Sequence, residues 1–180
     1  MLACLDVAYD ETRAHAGCLV FRDWTDERAT AEHLSTTALA APYVPGSFFE
    51  RELPPMLDVL AHVKEDLAAV VVDGYVWLAG KGPGLGAHLH DALGGKTPII
   101  GVAKTAWTRP ADPNEDPAHR SIAVTRGTST RPLFVTATGI DVEEAARLVT
   151  SMHGPHRLPT LLKAVDGLVR AAHARAARSP

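Results

Sequence analysis

Two apolar runs of this sequence each stop at a charged residue. Leu67 to Val72 (Leu-Ala-Ala-Val-Val-Val) ends at Asp73-Gly74, and Pro98 to Ala103 (Pro-Ile-Ile-Gly-Val-Ala) ends at Lys104. Uninterrupted apolar, β-branched runs read as strands buried on both faces, as in parallel sheets. Open α/β sheets place ligands beyond the C-terminal ends of such strands. A carboxylate and an ammonium are therefore expected at one edge of one sheet. Asp6 lies inside a third apolar run, Leu2 to Ala8. An acid there is costly unless paired, hydrogen-bonded or metal-bound, and a satisfied polar residue near a strand end is an equal reading. Glu52 stands ahead of Pro54-Pro55, which suit the first turn of a helix, with Met56, Leu57, Leu60 and Ala61 on its buried face. It is expected just before that helix, and a first-turn acid serving the helix dipole is the competing reading. Asp166 borders the stripe Leu158, Leu161, Leu162, Val165, Leu168 and Val169, whose spacing is helical. By default it is a solvated flank residue. Converged on one edge, these carboxylates would suit two Mg²⁺ ions, since hard cations take oxygen ligands. Two such ions can activate a water and stabilise the leaving oxygen of a phosphodiester.

The elements that must position these groups follow in chain order. Leu2–Ala8, His15–Phe21 and Ala31–Leu39 read as consecutive strands with a polar turn at Asp23–Arg28, an antiparallel meander on one side of the sheet. Pro42-Tyr43-Val44-Pro45-Gly46 is a stiff loop that presents an aromatic ring. Tyr43 packed on the domain surface is the plainer alternative. A short helix is expected from Leu85 to Leu93. Asp112–Pro117 is a polar loop, and Ser121–Arg126 with Pro132–Thr138 form a hairpin around Gly127. Asp141 caps a further helix, with Glu144 in the capping-box position and Val142, Ala145, Val149 and Met152 facing the core.

With 180 residues the chain is long enough for one domain, 1–180, with a real core. A net charge of −3 gives no support to nonspecific nucleic-acid binding, though a local basic patch remains compatible with it. Cys4 and Cys18 fall in strands and read as small buried hydrophobes of a reducing compartment. No signal peptide and no apolar run of membrane-span length is visible, so a soluble, cytoplasmic protein is expected, with a monomer favoured.

Gly82-Pro83-Gly84-Leu85-Gly86-Ala87 fits the G-x-G-x-x-A pattern of dinucleotide loops. That fingerprint must follow its strand directly, and here Tyr75–Ala79 intervene. No lysine followed by Ser or Thr completes a Walker A loop.

Taken together, the motifs resemble the endonuclease V family, which has an α/β, ribonuclease-H-like fold with a mixed central sheet flanked by helices. The resemblance runs in order through Leu5-Asp6-Val7-Ala8-Tyr9, Pro42–Gly46, Arg51-Glu52, Asp73-Gly74, Gly84–Leu89, Pro98–Lys104, His156-Arg157-Leu158-Pro159 and Asp166. Each motif alone is weak, and the ordered set is specific. It implies a Mg²⁺-dependent (or Mn²⁺-dependent) endonuclease acting on inosine-containing DNA or RNA and cutting on the 3′ side of the altered base. Asp6, Glu52 and Asp73 match the family's metal carboxylates, Asp166 a further acid-or-histidine position, and Lys104 the lysine that polarises the phosphate or its attacking water. Tyr43, Pro45 and Gly46 match the strand-separating wedge. Gly84 and its neighbours Leu85 and His88 match the base pocket. One strip departs: Val76 replaces a family glycine and Ala79-Gly80-Lys81 replaces His-Pro-Arg. The departure leaves open a weakly active or non-cleaving nucleic-acid binder with altered substrate preference, in which Tyr75 and Trp77 supply stacking surfaces.

Overall fold

The computed structural model describes residues 1–39, 48–107 and 116–176. Tyr43, Pro45 and Gly46, and most of the Asp112–Pro117 loop, lie outside the described residues.

Three strands open the chain: β1 (Leu2–Tyr9), β2 (Arg13–Phe21) and β3 (Ala31–Ala38). Helix α1 (Phe48–Leu60) and strand β4 (Ala69–Asp73) follow, then a two-stranded ribbon, β5 (Trp77–Leu78) with β6 (Gly82–Pro83). Next come α2 (Leu85–Ala92), β7 (Ile99–Ala103), a 3₁₀ turn at Pro117–His119, the hairpin β8 (Ile122–Val124) and β9 (Leu133–Thr138), α3 (Val142–Ser151) and α4 (Thr160–Ala176).

Seven strands form one mixed sheet in the order β3-β2-β1-β4-β7-β9-β8. The central pairs β1–β4 and β4–β7 are parallel, and the outer pairs are antiparallel. The meander and the hairpin stand as the sequence implied. Alternation along each strand feeds two cores. Ala3, Leu5, Ala16, Cys18, Val70 and Val72 pack under α1 and α2 with Met56, Val59 and Leu89. Leu2, Cys4, Leu19, Phe21 and Val71 face α3 and α4, against Val142, Ala145, Val149, Leu161, Leu162 and Val165. Burial on both faces explains why β1, β4 and β7 are apolar without polar alternation.

One boundary corrects the sequence reading. Helix α1 begins at Phe48, and Pro54 and Pro55 lie inside it. Glu52 is therefore within the helix and not ahead of it. A proline removes one i→i−4 donor, so the carbonyls of Glu50 and Arg51 lose their helical partners while the chain stays helical. Burial of Met56, Val59 and Leu60 just beyond the pair holds that segment against the sheet.

Two glycines make the close approaches that shape the edge. A Cβ at Gly17 would stand 2.8 Å from Val169 Cγ1, so the bare backbone of β2 lets α4 settle directly on it. A Cβ at Gly101 would stand 2.6 Å from the Gly74 carbonyl oxygen. The chain leaving Asp73 turns through Gly74, at φ +128°, and folds back across β7, where Val76 N donates to Thr136 Oγ1 at 2.8 Å.

Candidate active site

Asp6 is on β1, Asp73 is the last residue of β4, and Lys104 directly follows β7. The three strands are parallel neighbours, so these positions share the C-terminal edge of the sheet. Asp6 continues the face of Leu2 and Cys4, and Asp73 that of Val71, which places both carboxylates toward α4. Asp166 comes from the middle of α4, and Glu52 reaches the same edge from α1. Asp6, Glu52, Asp73, Lys104 and Asp166 line one cavity of about 540 Å³, with Gly74, Val169 and Arg170 in its wall. All five residues read from the sequence as an acidic centre and its lysine are thus brought together.

The electrostatics are those of crowded anions. Burial, then the Asp6 and Asp73 charges, push the Glu52 carboxyl up to about 8, against the lowering effect of Tyr9 and Arg51. Burial and the neighbouring Asp73 charge raise Asp6 to about 6; the Val7 amide, donating to Asp6 Oδ1 at 2.9 Å, works the other way. Lys104 Nζ meets Asp73 Oδ2 at 2.5 Å, and Arg170 Nε meets Asp166 Oδ1 at 3.0 Å. The Lys104 ammonium and the Arg170 and Arg51 guanidiniums offset part of the negative charge of this carboxylate cluster.

Behind the acids, Tyr9 lies under the guanidinium of Arg51, whose Cζ is 4.4 Å from the ring centroid. Arg157 donates to the carbonyls of Lys104 and, at 2.6 Å, of Pro132, fixing the backbone from which Lys104 extends. Buried Arg126 donates to the carbonyls of Thr150, Met152 and His156, tying down the turn between α3 and α4. The sequence carried Arg157 only as part of a motif and did not single out Arg126. Arginines acting on carbonyls leave no periodic trace.

A second pocket of about 370 Å³ adjoins the acidic cavity and shares Glu52, Asp73 and Gly74 with it. Phe49, Tyr75, Leu78, Lys81, Gly84, Leu85 and Trp107 line it. Gly84 is required there by packing, since its Cβ would stand 2.6 Å from the Tyr75 carbonyl oxygen. His88 stacks on Phe49 with ring centroids 3.7 Å apart. Tyr75 and Trp107 are locked together: the Tyr75 hydroxyl donates to Thr105 O and accepts from Trp107 N, and Trp107 Nε1 donates to Ala79 O at 2.8 Å. The expectation for Trp77 is corrected. Its ring stacks on His119 at 3.7 Å and its Nε1 donates to Ala137 O, so it serves a different surface. Trp107, which no motif or periodicity marks, takes the place beside Tyr75. Val76 is buried and packs against the Cβ position of Gly86.

Among the described residues, the three side chains whose ligand atoms all lie within 4.8 Å of one another are Asp10, His15 and His173. They are a separate set from the acidic centre. No helix among the described residues is long and apolar enough to cross a membrane.

A mixed sheet with parallel central strands, helices on both faces and acids at the C-terminal strand edge defines a ribonuclease-H-like fold. Within that class, the chain belongs to the endonuclease V family, whose model (Endonuclease V) matches residues 1–167. It is 30% identical to Endonuclease V of Streptomyces coelicolor over 93% of this chain and 77% of that protein. The crystal structure of Endonuclease V from Streptomyces avermitilis superposes with a TM-score of 0.78 at 26% identity, covering 98% of this chain and 82% of that one. The fold also matches Ciona intestinalis Endonuclease V, at TM-score 0.79 and 18% identity over 97% of this chain and 85% of that one. That protein was crystallised with a 23mer DNA containing an inosine followed by a ribo-adenosine.

Proposed function

We propose that this chain is a divalent-metal-dependent endonuclease that hydrolyses a phosphodiester on the 3′ side of inosine in DNA or RNA. The observation that carries the reading is the shared cavity of Asp6, Glu52, Asp73, Asp166 and Lys104. Its donor set fits a hard divalent cation. Every acidic ligand is a carboxylate oxygen, and Asp6 and Glu52 are raised first by burial and then by their neighbouring carboxylates, both of which a bound cation offsets. Mg²⁺ suits such oxygens, with Mn²⁺ as a substitute. Bound there, the ion would supply Lewis-acid polarisation of the phosphate and a water of lowered pKa.

The chain's own groups divide the remaining work. Asp6, Glu52 and Asp73 would hold the ion, with Asp166 closing the cavity from α4. Lys104 sits where charge develops on the phosphate, and an ammonium pre-positioned there stabilises the transition state without reorganising. Asp73 holds that ammonium in place, and Arg157 holds the backbone behind it. The adjoining pocket would take the base, with Tyr75 and Trp107 as stacking walls and Gly84 keeping the backbone close. The inosine-containing DNA bound by the Ciona relative supports this substrate class.

A nicking assay on matched DNA and RNA strands with inosine, uracil or an abasic site tests the proposal. Cleavage next to inosine that disappears with chelator and falls by orders of magnitude in Asp73→Asn is the expected result. Binding of inosine strands without any metal-dependent nicking would replace the nuclease with a non-cleaving binder. Chelator-resistant cleavage would remove the acidic cavity from the chemistry.

A further inference from the structure

Further along the same α4-covered face of the β1–β2 hairpin, beyond the acidic centre, lies a cluster of two histidines and an aspartate. His15 is on β2 and only 1% exposed. It occupies the same strand face as Gly17, two residues on, and both face α4. Val169 sits over Gly17, and His173, one helical turn further along α4, sits edge-on to His15 with ring centroids 5.9 Å apart. Asp10, in the turn between β1 and β2, completes the group.

The orientation of each side chain is fixed from behind. Asp10 Oδ1 accepts from Thr12 N at 2.8 Å and Arg13 N at 2.7 Å, which leaves Oδ2 aimed at His15 Nε2, 3.2 Å away. His15 Nδ1 is 3.0 Å from Thr36 Oγ1. If Nδ1 donates to Thr36, the Nε2 lone pair faces a carboxylate oxygen, and a proton or a metal ion must lie between them. His173 Nδ1 is buried and makes no hydrogen bond, a costly state for a polar atom unless something binds it.

The geometry points to a transition-metal site formed by Asp10, His15 and His173, filled by Zn²⁺ or a similar borderline ion. Two imidazoles and one carboxylate are the donor set of such ions, whereas Mg²⁺ prefers oxygen alone. Tetrahedral ligands about 2.0–2.1 Å from Zn²⁺ stand about 3.3 Å from one another. The Asp10–His15 separation of 3.2 Å already has that value. All ligand atoms lie within 4.8 Å, so closing the set needs a movement of at most about 1.5 Å. Thr36 supplies the outer hydrogen bond that sets the ring of a ligating histidine. Three protein ligands leave a fourth position for water. Such an ion joins the hairpin turn, β2 and the distal part of α4, the helix that carries Asp166 into the acidic cavity.

Calorimetry of chelator-stripped full-length protein, titrated with Zn²⁺ under excess Mg²⁺, tests the site, together with the visible ligand-field spectrum of the Co²⁺ form. One ion per chain and a tetrahedral Co²⁺ spectrum are expected. His173→Ala should weaken Zn²⁺ binding by at least ~100-fold and abolish that spectrum, because losing a ligand costs more than losing an outer-shell partner. Asp10→Asn should weaken binding while keeping the turn, since its amide oxygen still accepts from Thr12 and Arg13. Asp73→Asn should leave the Zn²⁺ isotherm unchanged. The proposal falls if folded His173→Ala and Asp10→Asn proteins bind Zn²⁺ as the wild type does. It falls equally if Asp73→Asn abolishes binding, which puts the ion in the acidic cavity, or if the wild type binds no Zn²⁺ under Mg²⁺.

Discussion

Lys104 Nζ lies 2.5 Å from Asp73 Oδ2, joining the ends of two adjacent parallel strands across the mouth of the acidic cavity. Both side chains are over a third exposed, so the pair contributes little to stability. Its consequence is positional: the ammonium is held over the site by a carboxylate that is itself a candidate metal ligand.

Lys104→Ala should therefore lower turnover by about 10²-fold or more, in the range seen when one transition-state donor is removed. Melting temperature and substrate affinity should change little. Single-turnover nicking rates and a binding isotherm separate the two. An effect confined to affinity would make Lys104 a substrate-positioning residue.

The raised carboxyls predict a pH dependence for the metal-free protein. Glu52, at about 8, and Asp6, at about 6, keep protons in the folded state that the unfolded chain releases near ordinary carboxylate values. Their stabilising effect is complete below those ordinary values and is lost as pH rises through about 6 and then about 8. In chelator, the melting temperature should fall on going from about pH 5 to about pH 9. Mg²⁺ should raise it more at the alkaline end, where the ion meets ionised ligands. Glu52→Gln should flatten the upper part of the curve. An equally steep curve in that variant would place the titration on another group.

Trp107 is 36% exposed and faces the adjoining pocket beside Tyr75. Stacking on an aromatic ring is worth about 1–3 kcal/mol per base. Trp107→Ala should weaken binding of single strands by roughly tenfold or more, on that same scale. Trp77→Ala, which alters the distant His119 stack, should leave it unchanged. Fluorescence anisotropy with single-stranded oligonucleotides gives both numbers.

Gly17→Ala tests the docking of α4. The new methyl meets Val169 on a stiff β-branched side chain, and overpacking of this kind costs about 1–3 kcal/mol. Denaturant titration should show that loss. Nicking activity should fall as well, because Asp166 shares the displaced helix. Full stability and full activity would mean that α4 accommodates the methyl at no cost.

The centre of the sheet was readable because β4 and β7 are buried on both faces, which writes burial into consecutive residues. The same runs located Asp73 and Lys104, since a charge at the end of such a run stands out. Asp6 was visible as an acid in an apolar strand. The start of α1 was hidden, because two prolines in a row signal a helix beginning and only the packing of Met56, Val59 and Leu60 carries the helix through them. Trp107 was hidden for another reason. It belongs to no periodic element, and its role depends on hydrogen bonds to Tyr75 and Ala79, far back in the chain. His15 and His173 lie almost a whole chain apart, and only the seating of α4 over Gly17 brings them together.

That seating also bears on how the chain is made. Synthesis delivers Asp6, Glu52, Asp73 and Lys104 well before α4 leaves the ribosome. Until then, Leu2, Cys4, Leu19 and Phe21 have no cover from α4 on their face of the sheet, and open apolar surface of this kind invites aggregation. The contacts that close it span most of the chain, a topology that folds slowly. Arrival of α4 seals the core and installs Asp166 in one event, so a growing chain cannot complete its acidic cavity before that face is covered.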